Sequence, residues 1–334
     1  MNRGKVGLAI IGVGHWGKNY LRNFNALSKC EILWACDLDE SNLEYVRENY
    51  PQVQLTRNFL EVFQDKRVRA CVVATQASQH ARLAKLCLQM KKDVLVEKAM
   101  ALNAADCSSL IEQAEEEKAI LMVGHTFLFN DAVHLMKRLI EQGEIGELYY
   151  IKAVRSHLGL IREDVNSAWD LATHDLSIFS FMLRCSPTQV MAAGSSFLKQ
   201  GREDVTFITL RYGKVLASIH VSWADTNKQR TVEVVGSKGR ILFDDLNALE
   251  PIRIFQRGIG IDQDVSNFGE FKYLLRDGDI VSPNIKMTEP LKNQCNHFLD
   301  CVIQRKQPLT DGEFGADIVS TLCQVDESLI AGRC

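Results

Sequence analysis

The chain has no long apolar run, no cysteine pair at redox or metal-ligand spacing, and no strong charge of either sign. Each absence excludes something. The most apolar stretches, such as 6–13 and 120–123, are far shorter than the roughly 20 residues of a membrane-spanning helix, so no membrane partner is expected. Met1-Asn2-Arg3-Gly4 leads straight into a strand-like segment, without the charged head, apolar middle and small-residue cleavage site of a secretory leader. A cytoplasmic location is therefore the expectation. A net charge of −3 gives no field that would gather nucleic acid, though local dipoles and a few basic residues leave a small anionic ligand open. The ten cysteines are dispersed with no CxxC, which reads as reduced thiols acting as small hydrophobes. With no tetrahedral ligand spacing, no metal is expected.

What is present is ordinary for a globular protein: 46% apolar and 24% charged residues. A chain of 334 residues exceeds what one hydrophobic core usually serves, so two domains are expected, 1–124 and 125–334. The first alternates short apolar runs (5–11, 31–36, 70–74, 93–96, 120–123) with helical patterns (16–27, 41–48, 78–90, 104–117). Runs without strict alternation suit strands buried on both faces, and this rhythm predicts an α/β domain with a doubly wound parallel sheet. The second domain reads as helices 131–142 and 167–183, strands 148–157, 189–193, 205–212, 215–222, 231–235 and 240–243, and terminal helices 290–304 and 315–330. That pattern predicts an α+β domain with a large, mostly antiparallel sheet and helices on one face. Gly236 to Gly239 reads as a hairpin turn, and 258–286 as irregular.

Gly12-Val13-Gly14-His15-Trp16-Gly17 is a full GxGxxG, directly after the first strand and opening a helix. The first glycine permits the tight turn, the second lets backbone approach a pyrophosphate, and the third brings helix close to strand. His15 and Trp16 lie in the first helical turn, where free N–H groups and the positive dipole end meet phosphate. Asp37, twenty residues after Gly17, ends the second strand, where an acid accepts hydrogen bonds from the adenosine ribose. It would repel a 2′-phosphate, so NAD rather than NADP is the expected cofactor. This is the signature of a Rossmann domain. The alternative is a ligand-free glycine turn beside a helix-capping aspartate.

Two further segments carry a family resemblance. Val72-Val73-Ala74-Thr75-Gln76-Ala77-Ser78-Gln79-His80 and Val94-Leu95-Val96-Glu97-Lys98-Ala99 each end a strand; with the glycine motif and Pro308-Leu309-Thr310-Asp311-Gly312, the chain resembles the glucose–fructose oxidoreductase / inositol dehydrogenase / MocA family. The resemblance implies a Rossmann domain followed by an open-faced sheet that carries substrate and mediates a homodimer or homotetramer. It implies that Thr75, Ser78 and His80 line the nicotinamide side, that Glu97 lies near the nicotinamide ribose, and that Lys98 reaches the reacting hydroxyl. Two residues depart from the family pattern. Gln76 and Ala99 replace prolines, and the family often has a cis peptide before the second, so a cis or trans Lys98–Ala99 bond is open.

Oxidising an alcohol requires a hydride acceptor and a group that removes the hydroxyl proton. His174 titrates near neutrality when unperturbed, which suits a general base. Asp170, four residues earlier on an expected helix, shares its face and would orient the ring or contact a sugar hydroxyl. Lys98 would stabilise developing alkoxide charge. The family uses a lysine and a histidine from equivalent motifs. Read without the family, a buried, satisfied histidine beside a locally paired aspartate is the alternative, and Asp175 reads as structural.

The stretch from Arg155 to Asp175 and Gly124-His125-Thr126-Phe127-Leu128-Phe129-Asn130 are similar to the nucleotide-sugar branch of the family. That branch includes UDP-N-acetylglucosamine 3-dehydrogenases, whose 3-keto product a PLP-dependent aminotransferase can aminate, as in lipid A or cell-surface glycan synthesis. The resemblance implies oxidation at C3 of a UDP-linked amino sugar. Substrate contacts are expected from His125, Arg155, Asn166, Trp169, Asp170 and His174, with Lys152 and Arg162 as further polar candidates. Two other readings stay open: a free-sugar or inositol dehydrogenase, and a non-catalytic NAD-binding regulator. The presence of both Lys98 and His174 argues against the second.

Overall fold

The computed structural model describes residues 4–159, 161–261, 273–275 and 277–332. They form two compact units, 1–129 with 288–323, and 130–287 with 324–334. The sequence division at 124/125 placed 288–323 with the second domain, whereas its contacts group it with the first. The physical reason lies in helix α8 (Pro290–Gln304), which buries Leu291, Cys295, Phe298, Leu299 and Val302. Phe298 meets Phe24 edge-on with ring centroids 6.5 Å apart. Val123 donates its N–H to Thr310 O and accepts from the Thr310 hydroxyl, both at 2.7 Å.

The first unit is a six-stranded sheet built from β1 (Val6–Ile11), β2 (Cys30–Cys36), β3 (Gln54–Thr56), β4 (Val68–Val73), β5 (Asp93–Glu97) and β6 (Leu121–Gly124), in the order β3-β2-β1-β4-β5-β6. Every pairing is parallel. β1 and β5 are buried at every position, which explains their unbroken apolar sequences. Helices α1 (His15–Asn25), α2 (Glu40–Asn49), α3 (Phe59–Gln64), α4 (Ala77–Gln89) and α5 (Ala104–Glu116) join the strands. β3 and α3 were not anticipated. β3 buries only Thr56 of its three residues, and α3 is a six-residue helix started by Asn58, whose side chain accepts the Leu60 N–H. Successive strands are added outward in opposite directions from the β1/β4 pair, so the loops after these strands lie at the sheet's switch point.

The second unit holds α6 (Asp131–Glu141), α7 (Thr173–Leu183) and an eight-stranded sheet. Its strands are β7 (Leu148–Ser156), β8 (Gln189–Ser195), β9 (Val205–Tyr212), β10 (Val215–Ser222), β11 (Gln229–Gly236), β12 (Arg240–Asp244), β13 (Ile252–Phe255) and β16 (Ile280–Val281), ordered β16-β13-β12-β11-β7-β10-β9-β8. All pairings are antiparallel except β7 with β10, which is parallel. The expected hairpin closes between β11 and β12 through Gly236 N–H to Gly239 O at 2.9 Å. Two short strands, β14 (Ile259–Ile261) and β15 (Tyr273–Leu275), pair within the stretch expected to be irregular, of which 262–272 and 276 lie outside the described residues. Alternation along β9 and β10 buries Ile208, Leu210, Ala217 and Ile219 on one face and leaves Phe207 and Leu216 exposed on the other, an open-faced sheet. The last helix, α9 (Gly312–Ala331), belongs to the first unit up to residue 323 and to the second beyond it. Among the described residues, no helix is long and apolar enough to cross a membrane.

Candidate active site

The first unit carries the glycine turn. Gly12 sits at φ +88°, and a Cβ there would lie 2.8 Å from Ala74 backbone. A Cβ on Gly17 would lie 2.0 Å from Gly12 O, whereas one on Gly14 would meet nothing within 4 Å. Gly12 and Gly17 are thus glycines for packing, while Gly14 faces open space where backbone can be approached. Helices α2, α3, α5 and α6 are started by the side chains of Asp39, Asn58, Asn103 and Asn130. α1 and α4, which follow β1 and β4, have no side-chain cap. α1 also has no acid in its first turn, which leaves its N-terminal N–H groups to an anion. His15 and Trp16 are exposed on that turn. Asp37 is half-buried; it accepts Val13 N–H at 2.7 Å on Oδ2 and Asp39 N–H at 2.9 Å on Oδ1. These residues fit a dinucleotide: an uncapped helix end for the pyrophosphate, an open glycine, and an acid at the end of β2.

The loops after β4 and β5 meet around Lys98. Glu97 is buried, with Oε1 accepting from the Tyr20 hydroxyl and Oε2 from Lys98 N–H at 3.2 Å. The Lys98–Ala99 bond is cis. His80 is buried, with Nδ1 2.8 Å from Ala99 O and Nε2 2.9 Å from Thr75 O. Its ring therefore lies between carbonyls of the two loops, and in the neutral form donates to one of them, while Thr75 is half-buried and Ser78 exposed at the start of α4. His125, after β6, is 1% exposed and packs edge-on against Phe314 at 5.5 Å. Burial, and then the charge of Lys98, push its pKa down to about 3, so it is neutral at physiological pH.

The second unit carries His174. From Leu171 to Phe179 it is the single residue that is not fully buried, although its ring Nδ1 is enclosed. One turn earlier the chain is a π-helix, Ala168–Ala172, rather than the α-helix expected from 167 onward. Such wide turns are frequent at functional sites, and this one alters the i, i+4 relation between Asp170 and His174. Asp170 Oδ2 accepts from Trp223 Nε1 at 3.2 Å, and Oδ1 lies 3.5 Å from Arg162. Arg162 also grips Asp164 through two nitrogens, at 2.9 and 2.6 Å. Arg155 is turned into the core instead. Its guanidinium contacts both oxygens of Asp175 at 3.1 and 2.8 Å, and the two side chains are 4% and 1% exposed. Strand parity explains this: Ile151, Ala153 and Arg155 share the helix-covered face of β7, while Lys152 faces out to Glu233 at 2.7 Å. Asn166 and Trp169 both donate to Asp326, at 3.0 and 2.7 Å. Trp223 and Asp326 were not anticipated. Neither carries a local motif, and their partners are 53 and 157 residues away.

Strand order, the uncapped start of α1 at the switch point and the acid that follows β2 together define an NAD-binding oxidoreductase. Comparison with known proteins supports that class: residues 6–125 match the oxidoreductase family with an NAD-binding Rossmann fold, and residues 133–242 match the GFO/IDH/MocA C-terminal domain. The chain belongs to the GFO/IDH/MocA family. It is 24% identical over 263 residues to myo-inositol 2-dehydrogenase of Thermotoga maritima, covering 75% of this chain and 79% of that protein. The fold is similar to that of GenD2 from gentamicin A biosynthesis in complex with NAD (TM-score 0.83, 20% identity, 98% of this chain and 95% of that one). It is also similar to UDP-N-acetylglucosamine 3-dehydrogenase GnnA from Acidithiobacillus ferrooxidans (TM-score 0.81, 18% identity, 98% of this chain and 99% of that one).

Proposed function

We propose that the protein oxidises the C3 hydroxyl of a UDP-linked amino sugar, UDP-N-acetylglucosamine, to the 3-keto sugar. The observation that carries a dehydrogenase reading is the partly exposed His174 in an otherwise buried helix segment. The substrate reading is supported by the resemblance of 124–130 and 155–175 to the nucleotide-sugar branch. NAD, when bound, supplies the hydride acceptor. The backbone around Gly12, Gly14 and Gly17 and the first turn at His15 and Trp16 hold its pyrophosphate, and Asp37 takes the adenosine ribose. Thr75, Ser78 and Glu97 serve the nicotinamide side, with His80 acting through the two loops it lies between. His174 removes the hydroxyl proton, and Lys98 stabilises the negative charge that develops on the oxygen. Asp170, set by Trp223 and Arg162, contacts a sugar hydroxyl.

A 3-keto sugar is the substrate class of a PLP-dependent aminotransferase, which is the proposed consumer of the product. A second copy of the chain would cover the open sheet, where Tyr150, Phe207 and Leu216 are 40%, 56% and 43% exposed. The relative from Thermotoga maritima favours a second reading, oxidation of a free polyol such as myo-inositol. Thermal shift in the presence of NADH separates the two. UDP-N-acetylglucosamine is expected to raise the melting temperature more than UDP alone. A rise with myo-inositol and none with the nucleotide sugar would favour the second reading.

A further inference from the structure

The Lys98 backbone is held from two sides by buried groups. Its N–H donates to Glu97 Oε2 at 3.2 Å, and one peptide further on Ala99 O faces His80 Nδ1 at 2.8 Å. Behind Glu97 runs a continuous chain. The Tyr20 hydroxyl donates to Glu97 Oε1, Gln294 Nε2 donates to the Tyr20 oxygen at 2.8 Å, and the Thr126 hydroxyl donates to Gln294 Oε1 at 2.7 Å. The direction of each link follows from chemistry: a carboxylate only accepts and an amide nitrogen only donates. Burial, then the nearby Glu97 charge, raise the Tyr20 phenol well above its ordinary pKa, which keeps its proton on Tyr20. Tyr20 and Gln294 are both fully buried. A core position that needed only volume would be filled by phenylalanine or leucine; polar groups at this depth cost free energy unless each is paired.

We propose that Tyr20 and Gln294 are positioning residues for the reaction, which fix the Glu97 carboxylate and through it the Lys98 backbone without touching substrate. The inference rests on the reading of Lys98 given above. It also assigns a role to α8: besides packing on α1, it brings Gln294 to a network whose other members are 168 to 274 residues away in sequence.

Tyr20→Phe removes one hydroxyl and keeps the ring that stacks on Phe24. Gln294→Met keeps volume and removes both polar groups; it is read in the same way if the first variant does not fold. Residue-resolved amide hydrogen exchange on the protein without substrate is the first readout. Exchange at the Lys98 amide is expected to rise about tenfold, the worth of one hydrogen bond to a charged group, while the Val96 amide stays unchanged. Unchanged exchange at Lys98, or an equal rise at Val96, would overturn the proposal.

Turnover is the second readout, with NAD and whichever of UDP-N-acetylglucosamine or myo-inositol the wild type oxidises faster. In Tyr20→Phe, kcat should fall about tenfold with KM within about twofold. In a Lys98→Met background the same change should cost nothing further, because its route of action is gone. A further fall there would mean that Tyr20 acts by another path and would overturn the proposal. Wild-type turnover by Lys98→Met alone would instead sink the role given to Lys98, and the exchange result would still decide whether the network holds that peptide.

Discussion

The carboxylate of Asp37 holds the backbone N–H of Val13 at 2.7 Å, so the acid placed for the cofactor ribose also fixes the glycine turn that takes its phosphates. The two functions should fail together. Asp37→Ala is expected to weaken NADH binding about 10- to 100-fold, the range for one hydrogen bond to a charged group, and to reduce discrimination against NADPH. Titration calorimetry with both cofactors measures this. Unchanged NADH affinity would contradict the assignment.

Gly17 and Gly14 of the turn are expected to separate by experiment. A Cβ at Gly17 meets Gly12 O at 2.0 Å, so Gly17→Ala must move backbone and should cost about 1–3 kcal/mol in urea denaturation. A Cβ at Gly14 meets nothing, so Gly14→Ala should fold with near wild-type stability yet lose cofactor affinity. Equal stability losses in the two variants would contradict this division.

The first sheet, its glycine turn and Asp37 were legible because their signals are local: short apolar runs between residues 5 and 123, and a turn and a spacing within 40 residues of the N-terminus. Lys98 and His174 were legible only through a family resemblance, since a lysine after a strand and a histidine on a helix have many uses. What stayed hidden depends on distant partners. Arg155 reads as a polar residue on a strand, yet the alternation that buries Ile151 and Ala153 also buries it, and Asp175 neutralises it there. Asn166 and Trp169 face Asp326, and α8 docks on α1, through pairings that no local pattern announces. The π-helix at Ala168–Ala172 escaped for a different reason: its composition is that of an ordinary helix, and only the hydrogen-bond register departs.

The Arg155–Asp175 pair carries a stability prediction. Asp175→Ala leaves a buried guanidinium without its carboxylate, which costs about 3–5 kcal/mol in comparable sites. Equilibrium denaturation of the variant tests this. A loss below about 1 kcal/mol would place Arg155 in contact with solvent or substrate rather than the core.

His125 carries a pH prediction. Its folded pKa, about 3, lies below the ordinary 6.5. The unfolded chain therefore binds the additional proton between these values, and stability falls as pH drops through that window. Between pH 6.5 and 4.5 the loss from this group is about 2–3 kcal/mol. Replacing it as His125→Gln should flatten that part of the acid limb in urea denaturation. An unchanged slope would contradict a neutral, buried His125.

The central claim is tested most directly by mixing the purified protein with NAD and UDP-N-acetylglucosamine and following the near-ultraviolet absorbance of NADH. A ketone trap or the aminotransferase should be present to draw off product. The account predicts NADH formation by the wild type, and loss of most turnover in Lys98→Met and His174→Ala with NADH binding intact in both. No turnover of the nucleotide sugar with the trap present, alongside oxidation of free myo-inositol or glucose, would contradict it.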